Sequence, residues 1–124
     1  TAGFYAYGHL FAPYAETLGQ GLLPDVGTDI WVCGFSGMTA ATMATELDEP
    51  DLQDCVGRSG KGLQRILAEH GPFDLALIMA GTNDLGKGGN ARSIAASVQT
   101  LHTCCHRAGT PTVVLAVPPS KGTA

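Results

Sequence analysis

The sequence sets a continuous apolar run, residues 75–80, between a Gly-Pro pair and the stretch Gly81-Thr82-Asn83-Asp84. A short run of this kind fits either a buried strand or a piece of buried helix. Here the flanks decide, because Gly71-Pro72 breaks the segment before it and a turn-forming stretch comes directly after the run. The run reads as a strand covered on both faces, as in a parallel sheet. Its C-terminal end then delivers Asn83 and Asp84 to the rim where open α/β sheets hold their ligands. A carboxamide at that rim donates hydrogen bonds without carrying charge, which suits a developing oxyanion. The same four residues also suit an Asx-turn that only ties off a loop.

Around this run the chain alternates in type. Residues 1–12 are rich in glycine and aromatics and read as a loop. Pro13 suits the first turn of a helix to about Gly19, with Tyr14, Leu18 and Leu22 toward a sheet. Residues 28–33 (TDIWVC) read as a first strand, with Cys33 at its buried end, and residues 38–47 as a helix, apolar at Met43 and Leu47. Residues 48–60 read as an acidic, then glycine-rich, surface loop. Residues 61–70 form an amphipathic helix with Leu63, Ile66, Leu67 and His70 on one side. Residues 87–90 are a flexible loop whose Asn90 caps a helix over 91–108. That helix carries Ile94, Val98, Leu101 and Cys105 at core spacing. Gly109 stops it, residues 112–117 make a third strand, Pro118-Pro119 ends that strand, and the rest is tail. Strands alternating with helices predict an α/β layered domain with parallel strands and right-handed crossovers.

A second fragment stands beside the first. Ser36-Gly37-Met38-Thr39 comes after one apolar run, as Gly81-Thr82-Asn83-Asp84 comes after the next. Together they resemble the SGNH hydrolase family, the GDSL-type esterases and lipases, in which four blocks supply a serine nucleophile, a glycine amide, an asparagine side chain and a histidine base. Gly37 matches the glycine block and Asn83 the asparagine block. Thr1-Ala2-Gly3-Phe4-Tyr5 resembles the residues after Gly-Asp-Ser-Leu in the nucleophile block, so the chain is expected to begin just past its own nucleophile. The resemblance implies a three-layer α/β/α, flavodoxin-like sandwich truncated at both ends, with three strands visible, in a single domain. It implies cleavage of small-molecule carboxylic esters or thioesters through an acyl-enzyme, with no metal or organic cofactor. Gly37 and Asn83 would form the oxyanion hole, and Thr39, Thr82 and Asp84 would support it. No Gly-Asp-Ser occurs, and no aspartate has a histidine three residues on. Nucleophile and base are therefore not in this chain, and the segment alone is expected to be inactive and prone to associate through an unfilled slot in its sheet.

Composition narrows the alternatives. With 124 residues, 44% hydrophobic and 15% charged, the chain suits one globular domain. A formal charge of −4 argues against a nucleic-acid partner, and Arg58, Lys61 and Arg65 read as a solvated face. No apolar run approaches the roughly 20 residues of a transmembrane helix. The four cysteines show no disulfide or zinc spacing, and free thiols suit a reducing compartment. His102 and His106 share i, i+4 spacing but lack a third ligand, so they read as surface residues; His70 reads as a helix-terminal cation. Gly57 to Gly62 departs from a phosphate loop. Gly34-Phe35-Ser36-Gly37-Met38 approaches the G-x-S-x-G elbow of α/β-hydrolases, with Met38 where a second glycine is required. An N-terminal nucleophile at Thr1 and a non-catalytic, flavodoxin-like binding domain or pseudoenzyme complete the alternatives.

Overall fold

Alternating apolar runs and amphipathic stretches produce a mixed helix and strand structure with small parallel and antiparallel sheets. A computed structural model of the chain describes Tyr5–Ala6, His9–Leu10, Gly21 and residues 29–117. The chain divides into two units, Thr1–Ser36 and Gly37–Ala124. In the first unit, β1 (Tyr5–Ala6) and β2 (His9–Leu10) pair antiparallel, so the expected loop over residues 1–12 contains a short ladder. The helix expected from Pro13 to Gly19, with Tyr14, Leu18 and Leu22, lies outside the described residues.

The strand expected over residues 28–33 does not form in its described part, residues 29–33. A β-type run becomes a strand only where a neighbour offers unpaired backbone groups, and among the described residues the parallel sheet holds two strands, neither of them this one. Trp31 and Val32 are exposed, and Cys33, expected at a buried strand end, is exposed as well.

The second unit carries the regular structure. Its elements are α1 (Ala40–Thr45), β3 (Leu52–Gln53), β4 (Ser59–Gly60), α2 (Leu63–His70), β5 (Ala76–Ile78), α3 (Thr82–Gly86), α4 (Ala91–Arg107) and β6 (Thr112–Val114). β5 and β6 pair in parallel, with Ala76 opposite Thr112 and Ile78 opposite Val114. The connection between them passes through α3 and α4, the crossover that parallel strands require. α4 packs against α1, α2, β5 and β6, and its Leu101 and Cys105 supply two of the buried apolar side chains.

Two further expectations need correction. The strand over residues 75–80 is shorter than expected and is not covered on both faces: Leu75 and Met79 stay exposed beside it, as do Val113 and Val114 on β6. With only one paired neighbour among the described residues, β5 cannot take the fully enclosed position of a central strand. The segment 48–60 is not a plain surface loop, because β3 and β4 form an antiparallel hairpin in it. Leu52 is buried, and the Asp54 carboxylate accepts from the Val56 and Arg58 amides at 3.0 and 2.9 Å. That side chain closes the turn by an Asx-type bond.

Local signals around α4 act as the sequence predicts. The Asn90 side chain accepts from the Ser93 amide at 2.9 Å and caps the helix. At its other end Gly109 and Thr110 donate to His106 and Cys105 carbonyls, a Schellman ending that satisfies two terminal acceptors. The basic face is held by acids: Lys61 pairs with Glu69, and Arg65 lies 3.5 Å from Asp48 and 3.6 Å from Glu69.

All four cysteines are free. Cys105 is fully buried on α4, and burial pushes its thiol up to about 11. A raised thiol holds little of the reactive thiolate at pH 8. In native protein treated with a disulfide reagent at pH 8, exposed Cys55 should label at once and Cys105 only on unfolding. Equal labelling rates at the two positions would contradict the buried setting of Cys105.

Candidate functional site

Two short segments of the second unit meet beyond the C-terminal end of β5. After β5 the chain turns at Gly81, whose φ of +114° lies in a region most side chains avoid. A Cβ there would stand 2.8 Å from Ile94 Cγ2, so glycine also lets β5 exit close under α4. Thr82 then opens the five-residue helix α3, which presents Asn83 and Asp84 in its first turn and ends at Lys87.

The partner segment is Gly37 to Ala41. Thr39 caps α1, its hydroxyl accepting from the Thr42 amide at 3.1 Å. The Asp84 carboxylate reaches across to the same helix start, accepting from the Ala40 amide at 2.7 Å and the Ala41 amide at 3.2 Å. Asp84 is buried, and these two donors offset the cost of taking its charge out of water. Negative charge also suits the positive end of a helix. Asn83 Nδ2 donates to the Met38 carbonyl at 2.9 Å, and Lys87 Nζ donates to the Gly37 carbonyl at 3.3 Å.

Gly37 thus lies beside Asn83 at one lip. Its φ is +73°, and a Cβ at this position would fall 2.8 Å from Cys55 Sγ. Both facts require glycine. Among the described residues the Gly37 amide donates to nothing. A primary amide has two N–H donors, so one Asn83 hydrogen remains after the bond to Met38. The lip therefore brings the Asn83 carboxamide and the Lys87 ammonium against the Gly37–Met38 segment.

Of the sequence candidates, Gly37, Thr39, Asn83 and Asp84 come together, with Thr82 at the head of their helix. Two contributors, Lys87 and Cys55, are not among the residues that the sequence singles out. The glycine-rich stretch 87–90 reads as a flexible loop, although the i, i+4 spacing of Lys87 from Asn83 is the signal that the two share a helix face. Cys55 gives no sequence signal, since its approach to Gly37 depends on the unforeseen β3–β4 hairpin.

The remaining candidates stand elsewhere. Ser36 sits at a turn with no strand before it, which removes the strand–turn–helix geometry of a nucleophile elbow. His102 and His106 both meet the Thr112 hydroxyl, Nδ1 at 2.6 Å and Nε2 at 2.9 Å. His102 is half-buried, not a surface residue, and its Nε2 is buried without a partner among the described residues. Among the described residues no three His, Cys, Asp or Glu side chains are grouped to hold a metal ion. No helix among them is long and apolar enough to cross a membrane. A groove of about 660 Å³ is lined by Leu47, Leu67, Ala96, Thr100, Cys104 and Arg107, and it includes none of the lip residues.

Compared with known proteins, the chain matches no family model, no curated protein and no solved structure. The chemistry of the lip is therefore the ground for a functional reading.

Replacing Gly37 by alanine should lower stability by about 1–3 kcal/mol, from the unfavourable φ and the contact with Cys55. Adding Cys55→Ala should recover the contact part and leave the backbone part. Urea melts of the single and double variants check this. A Gly37→Ala protein as stable as wild type would contradict the close approach.

Proposed function

We propose that these residues form the oxyanion half of a serine ester hydrolase of the SGNH type, acting on small-molecule carboxylic esters or thioesters. The observation that carries the reading is the meeting of Gly37 and Asn83. A backbone amide without a partner among the described residues and a carboxamide with a spare hydrogen stand together beyond a parallel strand. Uncharged donors fixed before reaction stabilise a tetrahedral oxyanion without reorganising when charge appears. Thr39 and Asp84 serve as supports, because they set the start of α1 and hence the segment that carries Gly37.

The strand pairing supports the finer fold reading, a three-layer flavodoxin-like sandwich. In a sheet of order 2-1-3-4-5, strands 3 and 4 are direct parallel neighbours, as β5 and β6 are. The exposure of Leu75 and Met79 beside β5 fits a sheet whose covering layers are incomplete among the described residues. Because the 124 residues hold neither Gly-Asp-Ser nor Asp-x-x-His, the nucleophile and base in this reading come from outside them.

One observation favours a second reading, a non-catalytic binding domain of the same fold. Asn83 already donates to Met38, so its carboxamide also serves to tie two loops together. The reading frame on either side of these residues separates the two, since Gly-Asp-Ser before and Asp-x-x-His after would favour the enzyme.

In a longer chain that joins these residues to Gly-Asp-Ser and Asp-x-x-His blocks, Asn83→Ala should lower kcat on an aryl ester by about 100- to 1000-fold, with KM little changed. Such a chain that neither hydrolyses esters nor takes a serine-directed fluorophosphonate label would overturn the hydrolase reading. Unchanged kcat in Asn83→Ala would remove Asn83 from the oxyanion role.

A further inference from the structure

Lys87 brings a cation to the lip, with Nζ 3.3 Å from the Gly37 carbonyl oxygen. It sits one helical turn past Asn83, and its own amide donates back to the Asn83 and Asp84 carbonyls at 3.1 and 3.2 Å. Those bonds close α3 and fix where the lysine stem leaves the helix. Among the described residues Lys87 has no carboxylate partner, unlike Lys61 and Arg65, which are paired with acids. The carboxylate in the lip, Asp84, is occupied by the Ala40 and Ala41 amides.

We infer that Lys87 is a positioning residue of this lip, holding the Gly37 peptide and adding the positive charge that recruits anions to it. The inference rests on the oxyanion reading above and adds to it a preference for negatively charged ligands. Two clamps act on consecutive peptide units: Lys87 holds the Gly37 carbonyl and Asn83 holds the Met38 carbonyl. Together they restrict rotation on the C-terminal side of Gly37, a residue that alone would be the most mobile point of the segment. Gly37 itself stands at φ +73°, a conformation that glycine adopts at low cost. The ammonium meanwhile has spare donors, since one of its three is used on Gly37. An anion at the lip would then find two neutral donors and one cation, in a chain whose formal charge is −4.

The test uses the full chain and methylphosphonate, a tetrahedral anion, with binding followed by titration calorimetry and stability by thermal melting. Wild type should bind, and Lys87→Met should bind about fivefold more weakly, with only a small loss of melting temperature from the lost bond to the Gly37 carbonyl. Lys87→Arg should recover most of the affinity, which a purely structural role for the stem would not require. Equal binding by wild type and Lys87→Met would overturn the role of Lys87 while leaving the oxyanion donors in place. Absence of binding in wild type, or binding that survives Asn83→Ala unchanged, would instead sink the oxyanion reading and this inference with it.

Discussion

The Asp84 carboxylate, buried between α3 and the first turn of α1, is the contact on which the rest of the candidate site depends. It accepts from two backbone amides 44 and 43 residues away in sequence. Charge-assisted bonds of this kind are shorter and stronger than neutral ones. They satisfy donors that a helix start otherwise leaves open. Through them a short helix that has little stability of its own is fixed against the end of β5. Asn83 and Lys87 then act on a segment already in place, each tying one carbonyl of it.

This arrangement explains why a site can be built from such modest elements. α1 has six residues and α3 five, too few to hold their shape through internal hydrogen bonds alone. Their geometry comes from side-chain bonds to backbone, supplied by Thr39, Asn83, Asp84 and Lys87, and from packing of α1 on the long helix α4. α4 in turn rests on β5 and β6, so the lip is carried by the only parallel pairing among the described residues.

The parts of this structure that are legible in the sequence are those governed by local chemistry. Asn90 announces a helix start and Gly109 its end. The spacing of Leu101 and Cys105 announces a buried stripe, and Gly81 after an apolar run announces a strand exit. Thr39 and Asp84, which the sequence offers as supports, each bond the first turn of α1. Features that depend on distant partners are not legible in this way. Residues 29–33 have the composition of a strand but no neighbour in the described sheet. Asp54 looks like part of a solvated acidic loop, yet its carboxylate closes a hairpin. The exposure of Leu75 and Met79 depends on the number of strands in the sheet, which an apolar run does not state. The joint approach of His102 and His106 to Thr112 depends on where β6 begins.

Amide hydrogen exchange at Ala40 and Ala41 tests the account most directly, compared between wild type and Asp84→Ala. With Asp84 in place, both amides should exchange slowly. In Asp84→Ala they should exchange near the rate of an unprotected chain, while Leu101 and Cys105 in α4 keep their protection. Unchanged protection of Ala40 and Ala41 in the variant would mean that something other than this carboxylate holds α1 to the end of β5.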